Sequence, residues 1–252
     1  VLRVKRRIHH EDNGIRGLVI SLSRCLNRIE QTIANGAQVI VSAMAGVSTR
    51  KLCAYAIANG LRGLNFALGI YGSVGGAVLM NAGTRYGCMA DVLDTIQILT
   101  PADEGVRLKR DQLQFGYRTL RWPQGMGGQK EAAPVVLSTA FRLHIDDIKD
   151  LRREALQIIQ ARQQTQPLGL PSAGCFFKNP TSGPSAGELI DRAGLKGKRI
   201  GGAEVSNKHA NFIVNRQNAT AADILELVAL IQQRVKTNHG IELQPEVKIV
   251  GT

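Results

Sequence analysis

The stretch GIYGSVGGAVLMNAG, residues 69–83, holds five glycines among small and apolar residues and is the densest signal in the chain. Glycines let a backbone approach a ligand closely, reach positive φ and expose amides that cradle phosphate oxygens. The spacing matches neither the dinucleotide-binding fingerprint nor the P-loop. From the residues alone, a nucleotide-binding segment and a tight packing turn are therefore equally supported.

On either side of this segment the residues predict strands and a helix. The predicted strands are residues 14–29, as two strands joined by a turn, then 37–46, 91–100 and 135–144. Ser48 is placed to cap a helix that continues through Asn59 and stops at Gly60. We expect these elements to form a first domain, residues 1–145.

In the second half of the chain, the spacing of apolar residues changes from that of strands to that of a helix. Residues 146–163 carry apolar side chains at helical spacing and stop before Pro167, which predicts a helix joining two domains. Its apolar positions are Ile148, Leu151, Ala155, Ile158 and Ile159. Beyond it we expect a helix at 187–194, a strand at 209–215 and a terminal strand at 245–250. These elements predict a second domain, residues 146–252.

The last helix of the second domain has the clearest pattern. Its apolar residues at helical spacing are Ile224, Leu227, Val228, Ile231 and Val235. Thr220 and Asp223 form a capping box at its start, and Gly240 is placed to end it.

Composition limits the class of protein. A chain of 252 residues can bury two modest cores, and 44% hydrophobic with 21% charged residues is ordinary globular composition. No apolar run approaches the roughly 18 residues of a membrane span. We therefore expect a soluble, cytoplasmic protein without a membrane partner, and we expect a monomer.

Cysteine spacing and charge exclude further classes. The four cysteines are Cys25, Cys53, Cys88 and Cys175, and they have no CxxC spacing, so we expect no metal site and no disulfide framework. The net charge of +12 favours anionic partners, among them nucleic acids and phosphorylated small molecules. Because the basic residues are scattered and aromatic residues make up only 4%, we expect no nucleic-acid partner.

Several stretches, taken in order, resemble a known family. They are GLNFALGIYGSVGGAVLMNAG at 63–83, FGYR at 115–118, PSAGCFFKNP at 171–180, AGELIDRAGLKG at 186–197, IGGAEVSNKHANFIVN at 200–215 and PEVKIVG at 245–251. The first is similar to the flavin-binding segment of UDP-N-acetylenolpyruvoylglucosamine reductases, the MurB family. The resemblance runs from about Asn13 to the end and is to the shorter type of that family, which lacks an extra tyrosine-bearing loop.

The resemblance implies a fold and an activity. The expected fold is α+β, with an N-terminally incomplete FAD-binding domain of the vanillyl-alcohol-oxidase type followed by a smaller α+β substrate-binding domain. The expected activity is reduction of UDP-N-acetylglucosamine enolpyruvate to UDP-N-acetylmuramate in peptidoglycan precursor synthesis. FAD and NADPH are the expected cofactors.

The resemblance also implies site residues. Cys175 stands where the family has its proton donor, usually a serine, while Arg118 and Glu246 match its active-site arginine and glutamate. Tyr117, Lys178 and Asn179 are expected to bind substrate. The expected cofactor-binding residues are Gly69, Gly72, Ser73, Val74, Gly75, Gly76, Ala77, Asn81, Ala82 and Gly83. Lys208 and His209 belong to a matched motif, but no contact is assigned to either.

The chemistry of this reaction suits those residue types. Negative charge accumulates next to a carboxylate, which a guanidinium can hold through two parallel charge-assisted hydrogen bonds. An ordinary thiol has a pKa near 8.5 and is mostly protonated at neutral pH, so Cys175 can serve as a proton donor. A carboxyl group such as that of Glu246 can assist as an acid or through a polarised water.

The chain departs from the family pattern at its N-terminus. A glycine-rich GGGSN-like loop of the family would fall at residues 3–7, where this chain reads RVKRR. Tyr71 and Leu120 replace a proline and a serine of the family. Two explanations stay open, a truncated or frame-altered copy and a real divergent protein. The alternative function is an inactive family member that binds the UDP-sugar but not FAD.

Overall fold

The computed structural model describes residues 8–10, 19–126 and 133–250. The strands are β1 (Ile8–His10), β2 (Ile29–Asn35), β3 (Gln38–Met44), β4 (Leu61–Arg62), β5 (Gly83–Thr84), β6 (Gly87–Cys88), β7 (Leu93–Leu99), β8 (Gly105–Lys109), β9 (Gln114–Gly116), β10 (Thr119–Arg121), β11 (Val135–Ile145), β12 (Ser172–Cys175), β13 (Arg199–Ile200), β14 (Ala203–Val205), β15 (Phe212–Asn215) and β16 (Lys248–Val250). The helices are α1 (Thr49–Ala58), α2 (Val74–Leu79), α3 (Met89–Val92), α4 (Ile148–Thr165), α5 (Ala186–Arg192) and α6 (Ala221–His239), with 3₁₀ turns at Asn65–Ala67 and Arg110–Gln112.

These elements fall into two compact units. The first contains residues 20–160, and the second contains residues 161–250 with strand β1. The division lies inside α4, close to the boundary at 145 that the sequence suggests, and the domain limits 1–145 and 146–252 stay a prediction. Within the described part of the chain, no helix is long and apolar enough to cross a membrane.

The first unit is built on an antiparallel sheet ordered β2-β3-β11-β7-β8, with β4 also paired to β11. Strand β3 alternates in burial, because Val39, Val41 and Ala43 face the core while their neighbours are half exposed. Helix α1 begins at the predicted cap Ser48 and buries Leu52 against the same core. The predicted strands at 37–46, 91–100 and 135–144 are thus confirmed as β3, β7 and β11.

The second unit packs α5 and α6 against a four-stranded sheet ordered β12-β15-β14-β13. All five predicted core residues of α6 are buried, and Thr220 and Asp223 form the predicted capping box. Gly240 ends the helix at a φ of 68°, a conformation that glycine adopts without strain. Strand β1 pairs in parallel with β16.

Two predicted elements differ from the structure. Residues 14–18 lie outside the described residues, and 19–28 form no strand, because residues 22–25 make a turn that a Leu26 N to Leu22 O hydrogen bond closes. This turn packs so closely on Gly46 that a Cβ there would clash with the Leu22 carbonyl. The terminal strand is confined to β16, since Pro245 forms only an isolated bridge with Phe177 before it.

A buried carboxylate joins the strands of the second unit. Glu204 on β14 is 1% exposed and accepts hydrogen bonds from Arg199 on β13 and from Arg216, with 3.3 Å to the Arg216 Nη2. A buried carboxylate is stable only when its oxygens are paired and hydrogen-bonded in this way.

Replacing Glu204 by Gln should lower the free energy of unfolding by about 2 kcal/mol, because the buried charge-assisted hydrogen bonds weaken. The matched control is Glu242→Gln, where the carboxylate is 76% exposed and 3.7 Å from Lys236. Exposed pairs contribute little, so this control should unfold like the parent. Urea unfolding of the three proteins measures both effects, and equal midpoints for all three would contradict the role given to Glu204.

Candidate active site

The glycine-rich segment forms a helix from its middle onward. Helix α2 starts at Val74 and is capped by Ser73, whose hydroxyl accepts from the Gly76 amide at 3.3 Å. The amide of Gly75 donates to the Ala45 carbonyl at 3.0 Å, and a Cβ on Gly75 would lie 2.8 Å from the Ala45 Cβ. Packing against the end of β3 therefore requires Gly75 to be glycine.

The N-terminal ends of α1 and α2 adjoin at a single antiparallel bridge between Ser48 and Ser73. Its hydrogen bonds run from Thr49 N to Gly72 O (3.0 Å) and from Val74 N to Val47 O (2.8 Å). In this pattern the central residues do not donate to each other, so the Ser48 and Ser73 amides point away from the pair. Helix N-termini favour negative charge. These residues fit the pyrophosphate of a dinucleotide such as FAD in charge and in backbone donors.

The other residues expected to bind cofactor have mainly internal contacts. Gly69 and Gly72 adopt φ values of 78° and 137° before α2. Ala77 and Ala82 are buried, and the Ala82 amide donates to the Ala77 carbonyl at 2.7 Å. A Cβ on Gly83 would lie 2.6 Å from the Cys88 Cβ. Packing therefore explains the small residues that follow α2.

Both the oxygen and the nitrogen of the Asn81 side-chain amide form hydrogen bonds. Its Oδ1 accepts from the Ala90 amide at 3.1 Å, and its Nδ2 donates to the Gly116 carbonyl at 3.0 Å. The family resemblance implies that Asn81 binds the cofactor, whereas one of its described contacts leads to the hairpin that carries Arg118.

Arg118 lies in the two-residue loop of the β9–β10 hairpin. Gly116 pairs with Thr119, so Tyr117 and Arg118 form the loop between them. Arg118 has a φ of 56°, a left-handed conformation that costs a non-glycine residue roughly 1–2 kcal/mol. Its guanidinium carbon is 5.1 Å from the centroid of the Tyr117 ring, which is 55% exposed. Backbone strain of this kind often marks a functional position.

In the second unit, the chain after Cys175 is held by Asn211. Strand β12 ends where Cys175 pairs with Phe212, and the Phe176 amide then donates to the Asn211 carbonyl at 2.7 Å. The Asn211 side chain accepts from the Phe177 amide at 2.9 Å and donates to the Phe177 carbonyl at 2.8 Å. A buried side-chain amide thus continues the sheet pairing beyond the end of the strand.

The other edge of the same segment carries the predicted glutamate. The Glu246 amide donates to the Phe176 carbonyl at 2.7 Å, and the Lys178 amide donates to the Gln244 carbonyl at 2.8 Å. Glu246 is 5% exposed, and Phe177 forms a bridge with Pro245. The structure therefore brings the main chain of Glu246 beside the residue that follows Cys175, inside one unit.

The remaining predicted residues of this segment differ in exposure. Phe176 and Phe177 are buried in the core, as expected for residues that anchor the segment. Lys178 is half-buried, and Asn179 is exposed with its Oδ1 accepting from the Ala186 amide at 3.1 Å. Cys175 is half-buried.

Sequence reasoning left Lys208 and His209 without contacts and missed Asn211. The Lys208 Nζ donates to the Gln163 carbonyl at 3.1 Å, near the end of α4, where a cation is favourable. The His209 Nδ1 accepts from the Asn211 amide at 3.2 Å, and its ring packs on Phe212 with 4.9 Å between centroids. One sequence feature could have drawn attention to Asn211: its polar side chain lies between apolar residues within a predicted strand.

His209 predicts a pH dependence of stability. Burial, and secondarily the charge of Lys196, lowers the pKa of His209 below its ordinary value of 6.5. The unfolded chain then binds the proton more tightly, so this stabilising contribution is present above about pH 6.5 and is lost as the pH falls through the lowered pKa. Chemical unfolding from pH 8 to 5 should show this decrease, and His209→Asn should flatten it.

The control for this experiment is His144→Asn, because His144 lies exposed on β11 in the other unit. That variant should keep the pH profile of the parent. A His209→Asn profile that matched the parent would contradict the assignment.

Comparisons with known proteins follow the same division of the chain. Residues 7–109 match the model of an FAD binding domain, and residues 166–250 match the model of the UDP-N-acetylenolpyruvoylglucosamine reductase C-terminal domain. A UDP-N-acetylenolpyruvoylglucosamine reductase of Desulfosudis oleivorans is 45% identical over 95% of this chain and 76% of its own length. One from Prochlorococcus marinus is 46% identical over 95% of this chain and 75% of its own length.

A solved structure agrees with these sequence comparisons. The crystal structure of the reductase from Thermus caldophilus is 38% identical, with a TM-score of 0.71 over 83% of this chain and 72% of that one. The comparisons confirm the expected α+β fold, in which an FAD-binding domain precedes the C-terminal domain.

Proposed function

The chain belongs to the UDP-N-acetylenolpyruvoylglucosamine reductase family of oxidoreductases, and from that premise we propose that it binds FAD, oxidises NADPH and reduces UDP-N-acetylglucosamine enolpyruvate to UDP-N-acetylmuramate. The family is consistent with peptidoglycan precursor synthesis, and hence with a part in cell shape and division. The observation that carries the proposal is the backbone pairing that joins the segment after Cys175 to Glu246. We also propose a cytoplasmic monomer without a nucleic-acid partner.

Three side chains supply the proposed chemistry. FAD held at the glycine-rich segment would, once reduced by NADPH, supply the hydride for the terminal carbon of the enol ether. Arg118 holds the adjacent carboxylate and stabilises the negative charge that develops beside it. Cys175 donates the proton to the neighbouring carbon, and Glu246 assists that transfer from its buried position.

Three further residues orient the substrate in this proposal. Tyr117 lies beside Arg118 in the hairpin loop and offers an exposed ring for packing. Lys178 and Asn179 follow the segment that Asn211 holds, so their positions are fixed by the same contacts. Their ammonium and amide groups suit the phosphates and sugar hydroxyls of a UDP-sugar.

A second candidate function is binding of the UDP-sugar without flavin. It is favoured by the RVKRR sequence at residues 3–7, where the family has a glycine-rich loop and this chain has long side chains. Adjoining helix ends at Ser48 and Ser73 favour the first candidate, because they offer backbone donors to a pyrophosphate without that loop.

An absorption experiment separates the two candidates. The purified chain is mixed with excess FAD, freed of unbound flavin and then treated in the absence of oxygen with NADPH and with the enolpyruvyl substrate. The reductase predicts a retained flavin band that NADPH bleaches and the substrate restores, with UDP-N-acetylmuramate as product. Substrate binding by calorimetry without any retained flavin would instead support the second candidate.

Cys175 should tolerate serine but not alanine. Cys175→Ser keeps a proton donor and should retain activity, whereas Cys175→Ala should lower kcat by at least about a hundredfold, a usual effect of losing a general acid. Steady-state kinetics at saturating FAD measures both. An alanine variant as fast as the parent would refute the donor role.

The same thiol should make the enzyme sensitive to alkylation. Burial raises the pKa of Cys53 to about 12, so that thiol stays unreactive, while Cys25 is exposed and competes for the reagent. In a Cys25→Ser background, iodoacetamide should inactivate the parent and spare Cys175→Ser. Equal inactivation of both proteins would show that another thiol is responsible.

A further inference from the structure

Asn81 joins three pieces of the first unit. It lies just beyond α2 with a φ of 39°, which an asparagine tolerates better than most residues. Its Oδ1 accepts from the Ala90 amide at the start of α3, and its Nδ2 donates to the Gly116 carbonyl at the end of β9. One side chain therefore connects the glycine-rich segment to the residue that precedes the Tyr117–Arg118 loop.

Arg110 forms a second connection between Ala90 and the same hairpin. The Ala90 carbonyl accepts from the Arg110 Nε at 2.9 Å. The guanidinium of Arg110 lies over the Phe115 ring, 4.7 Å from its centroid, and its Nη1 donates to the Leu113 carbonyl at 3.2 Å. The side chains of Arg110 and Asn81 thus contact strand β9 at neighbouring residues, Phe115 and Gly116.

The hairpin needs such contacts because its loop is strained. Arg118 keeps a left-handed φ of 56°, and residues persist in that conformation only where the surrounding structure determines it. The loop has only two residues, so fixing the Gly116 carbonyl also limits the position of Arg118. Moving a guanidinium by about 1 Å is enough to weaken a bidentate contact with a carboxylate.

We propose that Asn81 is a positioning residue that fixes the hairpin for Arg118, and so sets the affinity for the substrate carboxylate rather than for flavin. This inference rests on the proposed function for the role of Arg118. It differs from what the family resemblance implies, since the resemblance groups Asn81 with the residues that bind the cofactor.

The test compares Asn81→Gly with the matched variant Asn218→Gly. Both asparagines have positive φ, 39° and 50°, so glycine keeps each backbone conformation and removes only the side chain. Asn218 is exposed in the other unit and should behave like the parent. Asn81→Gly should keep the FAD dissociation constant within about threefold and lower kcat/KM for the enolpyruvyl substrate about tenfold, the size of effect expected when the hydrogen bond that fixes the hairpin is lost.

A double-variant cycle with Arg118→Ala shows whether Asn81 acts through that residue. If it does, adding Asn81→Gly to Arg118→Ala should change kcat/KM little, because the positioned group is already gone. If the effects of the two substitutions on kcat/KM multiply, the proposal is wrong. A flavin affinity that falls tenfold or more in Asn81→Gly, or kinetics identical to the parent, would also overturn it.

Hydrogen exchange of the full chain gives a readout that does not need activity. The peptide covering residues 114–121 should exchange faster in Asn81→Gly than in the parent and in Asn218→Gly, since the hairpin loses its contact to Gly116. If the parent neither retains flavin nor turns over substrate, the proposed function fails. Unchanged exchange would then overturn the positioning role separately.

Discussion

The second unit depends on how the chain from Phe176 to Lys178 is hydrogen-bonded on both of its edges. Asn211 pairs with one edge, and the stretch Gln244–Glu246 pairs with the other. Phe176 and Phe177 are both buried, so their peptide groups cannot turn to water and need partners inside the protein. That requirement fixes the chain directly after Cys175 and the main chain of Glu246 at the same time.

The use of a side chain in this pairing follows from the shape of β12. Gly174 has a φ of 89°, and the register of β12 against β15 shifts between Ser172 and Cys175. The main chain of β15 therefore cannot supply every partner to the segment that follows. The Asn211 amide, with one donor and one acceptor, replaces a peptide group. A substitution there would leave buried groups of Phe177 unpaired.

In the first unit, two helix ends and an asparagine side chain hold the glycine-rich segment in place. Helices α1 and α2 begin at one bridge between Ser48 and Ser73, which brings two helix N-termini side by side. At the far end of α2, Asn81 connects this segment to the hairpin of Arg118. The end of α2 and this hairpin are thereby joined through the side chain of Asn81.

Local patterns predicted the regular elements well. The caps Ser48 and Thr220, the stop at Gly240 and the apolar face of α6 involve neighbouring residues only, and the structure confirms each one. Helix α2 was not predicted, because its two glycines are poor helix formers, and one of them, Gly75, is required by the close approach of Ala45. That approach is not local, so spacing cannot show it.

For the candidate site, too, the sequence identified residues but not the distant contacts that hold them. Family resemblance supplied Cys175, Arg118 and Glu246, but the contacts that hold them involve residues far away in sequence, such as Asn211 and Asn81. An asparagine between apolar residues looks the same whether it binds a ligand or the backbone. Only the folded arrangement distinguishes these two uses.

If Cys175 and Glu246 act together in protonation, substitutions at the two positions will not have independent effects on the oxidation of the reduced flavin. The FAD-loaded protein is reduced with NADPH, mixed rapidly with the enolpyruvyl substrate, and followed by the return of the flavin absorption band in the parent, Cys175→Ala, Glu246→Gln and the double variant. Joint action predicts that the double variant is about as slow as the slower single variant, since groups that act as a unit are not additive. Independent effects that multiply, or a Glu246→Gln rate equal to the parent's, would contradict it.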